Sequence, residues 1–537
     1  MEAHHGGMEA CTVGMTAQVF VAMMASVVKR RRLFAKSRSF LYGDGTRSRP
    51  SLRTQLPCED TGHCEFGLDS EDLAATATDL KNLDEVKWCS TFLRCLDTGM
   101  VAAIQAAFSA SPGFTTAYSG AGFFESLMSQ VGRVLGDRDG AVPKCWHACE
   151  IDDLPRRILL QHEDGPTAPE CIFGDLTRRV PAATMEKLVR IQENLRMEFE
   201  HNSQDLDAKT KRAMKEEFGM RIFALCMNAL ENEVVHGEDW CYKHHRTCRF
   251  VEACGPHGHQ GISIHCAGSC CYEFSSMCKD KKEMTGSTII TFVVWLHLRR
   301  VAQEAVVIHE CVPAHPGEEL ITKVLGHTHH VRSFCACPSM LGFPCTRKRR
   351  FTIAIHRNFM SNTFETRLTS GKNPIVEAFG GAAKEIYSSA AVYLVATEAE
   401  LQSIFTSEAR RVRKPTADSW LTLQNVGNRR RFLQHLEEHG CDSDLFVDIT
   451  QNCNRGHPRP TIGCLLRRSV VWSMRLNRPV VGLEKLQLMG NGLRVCPFRD
   501  MVPHLTEPQL ASLTGNAFHI PTVGAVMFWA LSLCRLP

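Results

Sequence analysis

The sequence lacks a strong charge of either sign. Its 62 Lys and Arg stand against 58 Asp and Glu, leaving a net charge of +4. Bulk charge therefore does not announce a nucleic-acid partner. The sequence also lacks an apolar stretch long enough to span a bilayer; the run from Val13 to Val28 is too short. Acidic Glu2 and Glu9 precede that run and Lys29-Arg30-Arg31-Arg32 follows it. That is the wrong polarity for a secretory signal. Neither membrane insertion nor secretion is expected. Charged residues make up 22% and apolar residues 44%, which excludes a fibrous or wholly disordered chain.

Cysteine, by contrast, is plentiful. There are 25, an odd number in a long chain, and with no secretory signal they read as reduced intracellular thiols. Basic residues, though balanced overall, are clustered at 29–32, 347–350, 410–414 and 429–431. Local patches of this kind can track phosphates, and by default each is a solvated face. The run at 29–32 also has the composition of a nuclear import signal.

The length of 537 residues allows two to four domains. Residues 1–108 form a poorly defined N-terminal region. Within it Ser37 to Glu65 reads as a linker or disordered arm, and Leu73 to Ala107 shows helical spacing. From Gly113 a short strand runs into Tyr118-Ser119-Gly120-Ala121-Gly122, and an amphipathic helix starts at Phe124. Glycines between a strand and a helix let backbone N–H groups approach a ligand, and such a turn also serves purely structural ends. A second strand, Cys145 to Cys149, ends in Glu150-Ile151-Asp152; a third, Cys171 to Phe173, leads into Gly174-Asp175-Leu176. Strand and glycine turn, strand and Glu, strand and Asp in this order point to an adenosine-containing cofactor.

Further on, Ile262 to Cys266 alternates like a buried strand and runs through Ala-Gly-Ser into Cys270-Cys271-Tyr272-Glu273-Phe274-Ser275. A thiol at the carboxyl end of a strand sits where open α/β sheets carry chemistry. Read alone, in a chain with this many cysteines, the pair reads as two inert buried thiols.

These stretches together resemble the ordered motifs of the cytosine-C5 DNA methyltransferases. The likeness runs through YSGAG, ACEID, FGDL and AGSCCYEFS. It continues in Ile308-His309-Glu310-Cys311-Val312, in Gly342-Phe343-Pro344-Cys345-Thr346-Arg347-Lys348-Arg349 and in Arg478-Pro479 with Glu484. It closes at Gly515-Asn516-Ala517-Phe518. The resemblance covers about 110–535. It implies a doubly wound, mostly parallel α/β sheet of the Rossmann-like type that binds S-adenosyl-L-methionine, plus a smaller target-recognition domain. On this reading 109–357 is the catalytic domain, with a helical insertion at 181–260. Residues 358–458 are the recognition region, and 459–537 completes the catalytic domain.

The chemistry the resemblance implies is methyl transfer to C5 of cytosine in double-stranded DNA. The base must be flipped out of the duplex. A thiolate adding to C6 makes C5 nucleophilic, and counting back from Phe274-Ser275 assigns that role to Cys271. Glu310 matches the acid at ring N3. Arg347 and Arg349 match the family's paired arginines, the first for ring O2 and the second for the loop. Tyr118, Ser119, Gly120, Ala121, Gly122, Glu150, Ile151, Asp175, Leu176, Asn516 and Ala517 are the implied cofactor-binding residues. Glu150 would accept from the ribose and Asp175 from the adenine amino group. The sequence departs from the family at Cys311, Cys345 and Met489, where Asn, Gln and Gln are usual.

A nuclear location follows from the implied substrate. Other readings are the same chemistry on tRNA, and a catalytically silent DNA-binding or scaffold homologue. No metal is expected. Cys241, His244, His245, Cys248, Cys254, His257 and His259 are suitable zinc ligand types, but their spacing matches no strong pattern and they read as unligated loop residues.

Overall fold

The computed structural model describes residues 87–136, 143–162, 167–250, 262–276, 278, 280–361, 372–386, 389–414, 421, 423–439, 444–451, 457–491 and 498–535. The arm at 37–65, the basic run at 29–32, and Cys254, His257 and His259 lie outside the described residues.

Seven strands form the central sheet: β1 (Gly113–Ala117), β2 (Lys144–Cys149), β3 (Cys171–Phe173), β6 (Ser263–Gly268), β7 (Val306–Cys311), β8 (His329–Ala336) and β9 (Arg349–His356). Their order is β3-β2-β1-β6-β7-β9-β8, and only β9 runs against the others. Chain order reverses between β1 and β6. Open α/β sheets bind ligands at such a switch point, outside the carboxyl ends of the strands. The doubly wound sheet expected from the sequence is present.

The strand sequences explain why the sheet is covered on both faces. β6 and β7 are buried along almost their whole length, as parallel strands covered on both faces are. Ile264, Cys266, Val306 and Ile308 face one cluster, with the helices Phe123–Leu135 and Ile520–Ser532. Ala267, Val307 and Cys311 face the other, with Thr288–Ala302 and Gly317–Leu325. Alternate residues thus enter opposite cores. No helix among the described residues is long and apolar enough to cross a membrane.

Three boundaries differ from the sequence reading. Residues 87–108 are not a loose appendage. Helices Lys87–Cys95 and Thr98–Ser109 bury Trp88, Phe92, Ile104 and Phe108 in the first core, where Trp88 stacks near Phe528. The 181–260 insertion is only partly helical. Ala182–Asn202 and Ala208–Ala229 pack through Leu188, Leu195, Phe199 and Phe218, and a hairpin, β4 (Glu238–Cys241) and β5 (Arg246–Arg249), follows them. A small antiparallel sheet straddles the boundary expected at 458. Strand β10 (Phe446–Asp448) pairs with β11 (Val471–Ser473), and β11 with β12 (Arg478–Pro479). Its own core is Leu421, Phe432, Val447, Ile449, Trp472 and Met474, whereas Ile375, Phe379 and Tyr393 join the main core.

Candidate active site

The sheet register aligns the functional stretches. Ala117 of β1 pairs with Cys149 on one side and Ala267 on the other, and Gly268 pairs with Glu310. The turns after β1, β2, β3, β6 and β7 therefore open on one edge. Because β9 is reversed, its start lies on that edge too: Cys311 pairs with Arg350 and Glu310 with Phe351. One antiparallel strand is what brings a basic segment beside the acid at the end of β7.

The turn after β1 is tightly wound. Tyr118, Gly120 and Gly122 have φ of 53°, 57° and 81°. At Gly122 a Cβ would sit 2.4 Å from His162 Nε2, so both conformation and space demand glycine there. The buried Ser119 is spent on structure. Its hydroxyl takes the Cys149 N–H at 3.1 Å, lies 3.1 Å from the Cys149 carbonyl and 2.6 Å from Thr116 Oγ1. Ala121 is buried beside it.

Glu150 reaches back under this turn. It accepts from Gly120 N at 2.7 Å and from Asp152 N at 2.8 Å, one bond on each oxygen. Burial pushes its carboxyl up to about 7, against the pull of those two amides. Each oxygen keeps a lone pair for a further donor. Ile151 is 62% exposed, an apolar side chain bare beside the acid. Asp175 Oδ1 accepts from Thr177 N and Oγ1, capping a short turn that buries Leu176.

The C-terminal segment reaches the same edge. Arg467 donates to Asn516 Oδ1 at 2.8 Å and lies 3.9 Å from Asp152. Asn516 is exposed and Ala517 buried. Gly515 abuts the backbone of Leu466 and Arg467 so closely that a Cβ would approach Arg467 N to 2.4 Å.

Across the switch point, Cys271 is half-buried and Cys270 exposed. Burial pushes the Cys271 thiol up and the charge of Glu310 adds to that, while Arg349 and Arg347 oppose it. The four groups thus lie within one another's fields. Arg349 Nε lies 2.9 Å from Glu310 Oε1, an ion pair without hydrogen-bond alignment. Arg347 is buried and donates to Leu465 O at 3.0 Å and Gly515 O at 3.2 Å. Its Nε has no acceptor among the described residues. Both guanidinium groups also approach Cys464 Sγ, at 3.7 and 3.8 Å.

The sequence did not single out Cys464, Arg467 or the anchoring role of Glu273. Buried Glu273 accepts from Ser287 N at 3.1 Å and Thr288 N at 3.0 Å, fastening the cysteine loop to the helix Thr288–Ala302. A carboxylate at a helix N-terminus is favourably placed. Of the departures from the family pattern, Cys311 lies 3.8 Å from the Ser269 hydroxyl, and Cys345 and Met489 are core residues.

Away from this edge, a second group of side chains converges. Cys171 at the start of β3 meets Cys241, His244 and Cys248 of the hairpin, with all four ligand atoms within 4.8 Å of one another. His245 does not join them.

The basic runs at 410–414 and 429–431 divide between roles. Arg411 pairs with the buried Glu408 at 2.7 Å, Arg429 lies 4.9 Å over the Trp472 ring, and buried Asn428 donates to Ile449 O and Gln451 O. Arg410, Arg413, Lys414 and Arg430 are exposed.

No family model and no curated protein matches the sequence. Solved structures do match by shape. The methyltransferase EhMeth of Entamoeba histolytica aligns with 12% identity and a TM-score of 0.39, over 78% of this chain and 98% of that one. The Dnmt2 methyltransferase of S. pombe aligns with 12% identity and a TM-score of 0.37, over the same shares.

Proposed function

We propose that the protein transfers a methyl group from S-adenosyl-L-methionine to C5 of cytosine in double-stranded DNA, using a flipped-out base. The observation that carries this reading is the meeting of Cys271, Glu310, Arg347 and Arg349 on the sheet edge that also holds the Tyr118–Gly122 turn and Glu150.

The residues present fit the cofactor. Glu150 has free acceptor capacity for ribose hydroxyls, Ile151 offers an apolar face for a purine, and the space beside Gly120 is open. Asp175 would take the adenine amino group, and Asn516 would close the pocket from the C-terminal side. Bound there, S-adenosyl-L-methionine supplies an electrophilic methyl group.

Cys271 then acts on the pyrimidine. Its thiolate forms a bond to C6, and the displaced electron pair is taken up at N3 with a proton donated by Glu310. C5 becomes the nucleophile that accepts the methyl. Loss of the C5 proton to water, return of the N3 proton to the Glu310 carboxylate and departure of the thiolate restore the ring. Arg349 holds Glu310 in place, and the Nε of Arg347, without an acceptor among the described residues, is available to ring O2. The exposed Arg410, Arg413, Lys414 and Arg430 are candidates for phosphate contacts that offset base flipping. A nuclear location belongs to the same reading.

The test is transfer of labelled methyl to duplex DNA and to tRNA, together with trapping on a 5-fluorocytosine duplex. Label in duplex DNA and a covalent adduct lost in Cys271→Ser support the proposal. Label confined to tRNA overturns the substrate. Nucleic-acid binding with neither label nor adduct identifies a silent homologue.

A further inference from the structure

Cys171, Cys241, His244 and Cys248 have no part in methyl transfer, yet they are assembled from two separate stretches of chain. Cys171 opens the edge strand β3, and the other three lie on the β4–β5 hairpin about 70 residues later, in a Cys-x2-His-x3-Cys arrangement. The three sulfurs stand 3.6, 3.5 and 3.4 Å from one ring nitrogen, His244 Nδ1. A tetrahedral zinc with Zn–S of about 2.3 Å and Zn–N of about 2.0–2.1 Å has a sulfur–nitrogen edge of about 3.6 Å. The three sulfur–nitrogen spacings therefore match those edges of a zinc-centred tetrahedron. Thiols packed only as small apolar groups have no reason to converge on one imidazole nitrogen.

The surroundings fit a thiolate centre. The Ile172 N–H points at Cys241 Sγ at 3.4 Å, the outer hydrogen bond that metal-bound sulfur commonly receives. Three thiolates, a neutral imidazole and a divalent ion sum to one negative charge, and Lys243, Arg246 and Arg249 lie on the same hairpin.

We propose that these four residues bind one zinc ion, which fastens the β4–β5 hairpin to the outermost strand of the central sheet. The hairpin is small. It is two strands of four residues, and isolated hairpins are marginal in water. Its attachments besides the cluster include Tyr242 N to Ile172 O at 2.7 Å, Lys243 to Pro169 O, the Arg178–Asp239 ion pair at 3.2 Å, and Phe250, which lies 4.0 Å from the Phe173 ring and 3.6 Å beneath the Arg179 guanidinium. Tyr242 packs against Gly174, one residue before Asp175, and lies 3.9 Å beneath the Arg156 guanidinium. Arg156 in turn donates to the carbonyls of Glu150 and Ile151. The ion thus supports the outer wall of the edge on which Glu150 and Asp175 lie. The assignment stands independently of the methyl-transfer reading.

Metal analysis of the full-length chain, purified without added metal or chelator, tests this. About one zinc per chain is expected, since three thiolates and an imidazole are a closed structural set. Cobalt substitution should give the visible absorption of a tetrahedral thiolate centre. Cys241→Ser and Cys248→Ser should each lose the metal, while Cys278→Ser, outside the cluster, should keep it. In the unaltered chain, Cys171, Cys241 and Cys248 should resist alkylation until a strong chelator is added, whereas Cys270 should react throughout. Chelation should also release zinc, and reloading should release protons as the thiols ionise. Absence of stoichiometric metal in the unaltered chain, iron in place of zinc, or a Cys171–Cys241 disulfide in the native protein each overturns the assignment. None of these readings depends on whether a variant folds or on activity.

Discussion

Arg349 meets Glu310 across the junction of β9 with β7, Nε to Oε1 at 2.9 Å, and both charges act on the sulfur of Cys271. The pair has opposite effects on that thiol. Glu310 raises its pKa and Arg349 lowers it, on top of a rise from burial. A raised thiol pKa leaves little thiolate at neutral pH, so alkylation of Cys271 should be slow and should accelerate as pH increases through the alkaline range. Glu310→Gln should speed it at fixed pH and Arg349→Ala should slow it, each by a few-fold to about tenfold, one pKa unit being tenfold in thiolate. Peptide-resolved mass spectrometry separates Cys271 from the exposed Cys270. Equal rates in all three proteins would mean that the acid and the arginine do not govern this sulfur.

Glu150 gives a pH dependence of ligand binding. Its carboxyl is pushed up to about 7 by burial. Below that pH it carries a proton, and one lone pair is lost to a potential donor; above it both oxygens are pure acceptors. Affinity for S-adenosylhomocysteine should therefore rise from pH 6 to pH 8 and level off. Glu150→Gln should bind more weakly and lose the dependence. Calorimetry across that range checks it; a flat profile for the unaltered protein would remove Glu150 from the ligand's contacts.

Much of this edge was legible in the chain because its parts are local. A strand, its closing turn and the polar residue after it are contiguous, so Tyr118–Gly122, Glu150, Asp175, Cys271 and Glu310 could be read one stretch at a time. What the order of stretches does not reveal is reach. Arg347 bonds carbonyls 118 and 168 residues away, and no local pattern announces Leu465 or Gly515 as its partners. The same holds for Cys171, whose companions lie about 70 residues on. Viewed without it, Cys241, His244 and Cys248 are three of seven nearby Cys and His residues, and no spacing picks them out. The small sheet was cut at 458 for a similar reason: β10 finds its partner β11 only after a long connection.

The Arg478–Glu484 pair tests how β12 is joined to the helix Gly482–Leu488 that follows it. Arg478 grips Glu484 with two bonds of 2.9 and 2.8 Å, and Glu484 also accepts from Val481 N and Ala396 N. Glu484 is fully buried, so its charge is acceptable only because these donors surround it. Glu484→Ala leaves Arg478 unpaired at a largely buried site and should cost about 3–5 kcal/mol in denaturant unfolding. The double variant Arg478→Met with Glu484→Leu should recover part of that loss, because it leaves no unpaired charge behind. A loss below about 1 kcal/mol for the single variant would class the pair with exposed ion pairs.

Glu273 offers a way to separate holding the cysteine loop from chemistry. Its carboxylate takes the N–H groups of Ser287 and Thr288 and the Thr288 hydroxyl, and it sits two residues after Cys271. The first helical turn has no internal partners for these amides, so the acid is their acceptor and also opposes the positive end of the helix dipole. Glu273→Ala strands buried donors and should destabilise by about 2–3 kcal/mol, whereas Glu273→Gln keeps an acceptor oxygen and should lose about 1 kcal/mol. In the alanine variant the segment after Cys271 loses its anchor, so proteolysis should cut there first and Cys271 should alkylate faster than in the parent. Faster alkylation with unchanged pH dependence would assign the effect to access. A shifted pH dependence would show that Glu273 also acts on the charge of the sulfur, which its separation into the helix cap argues against.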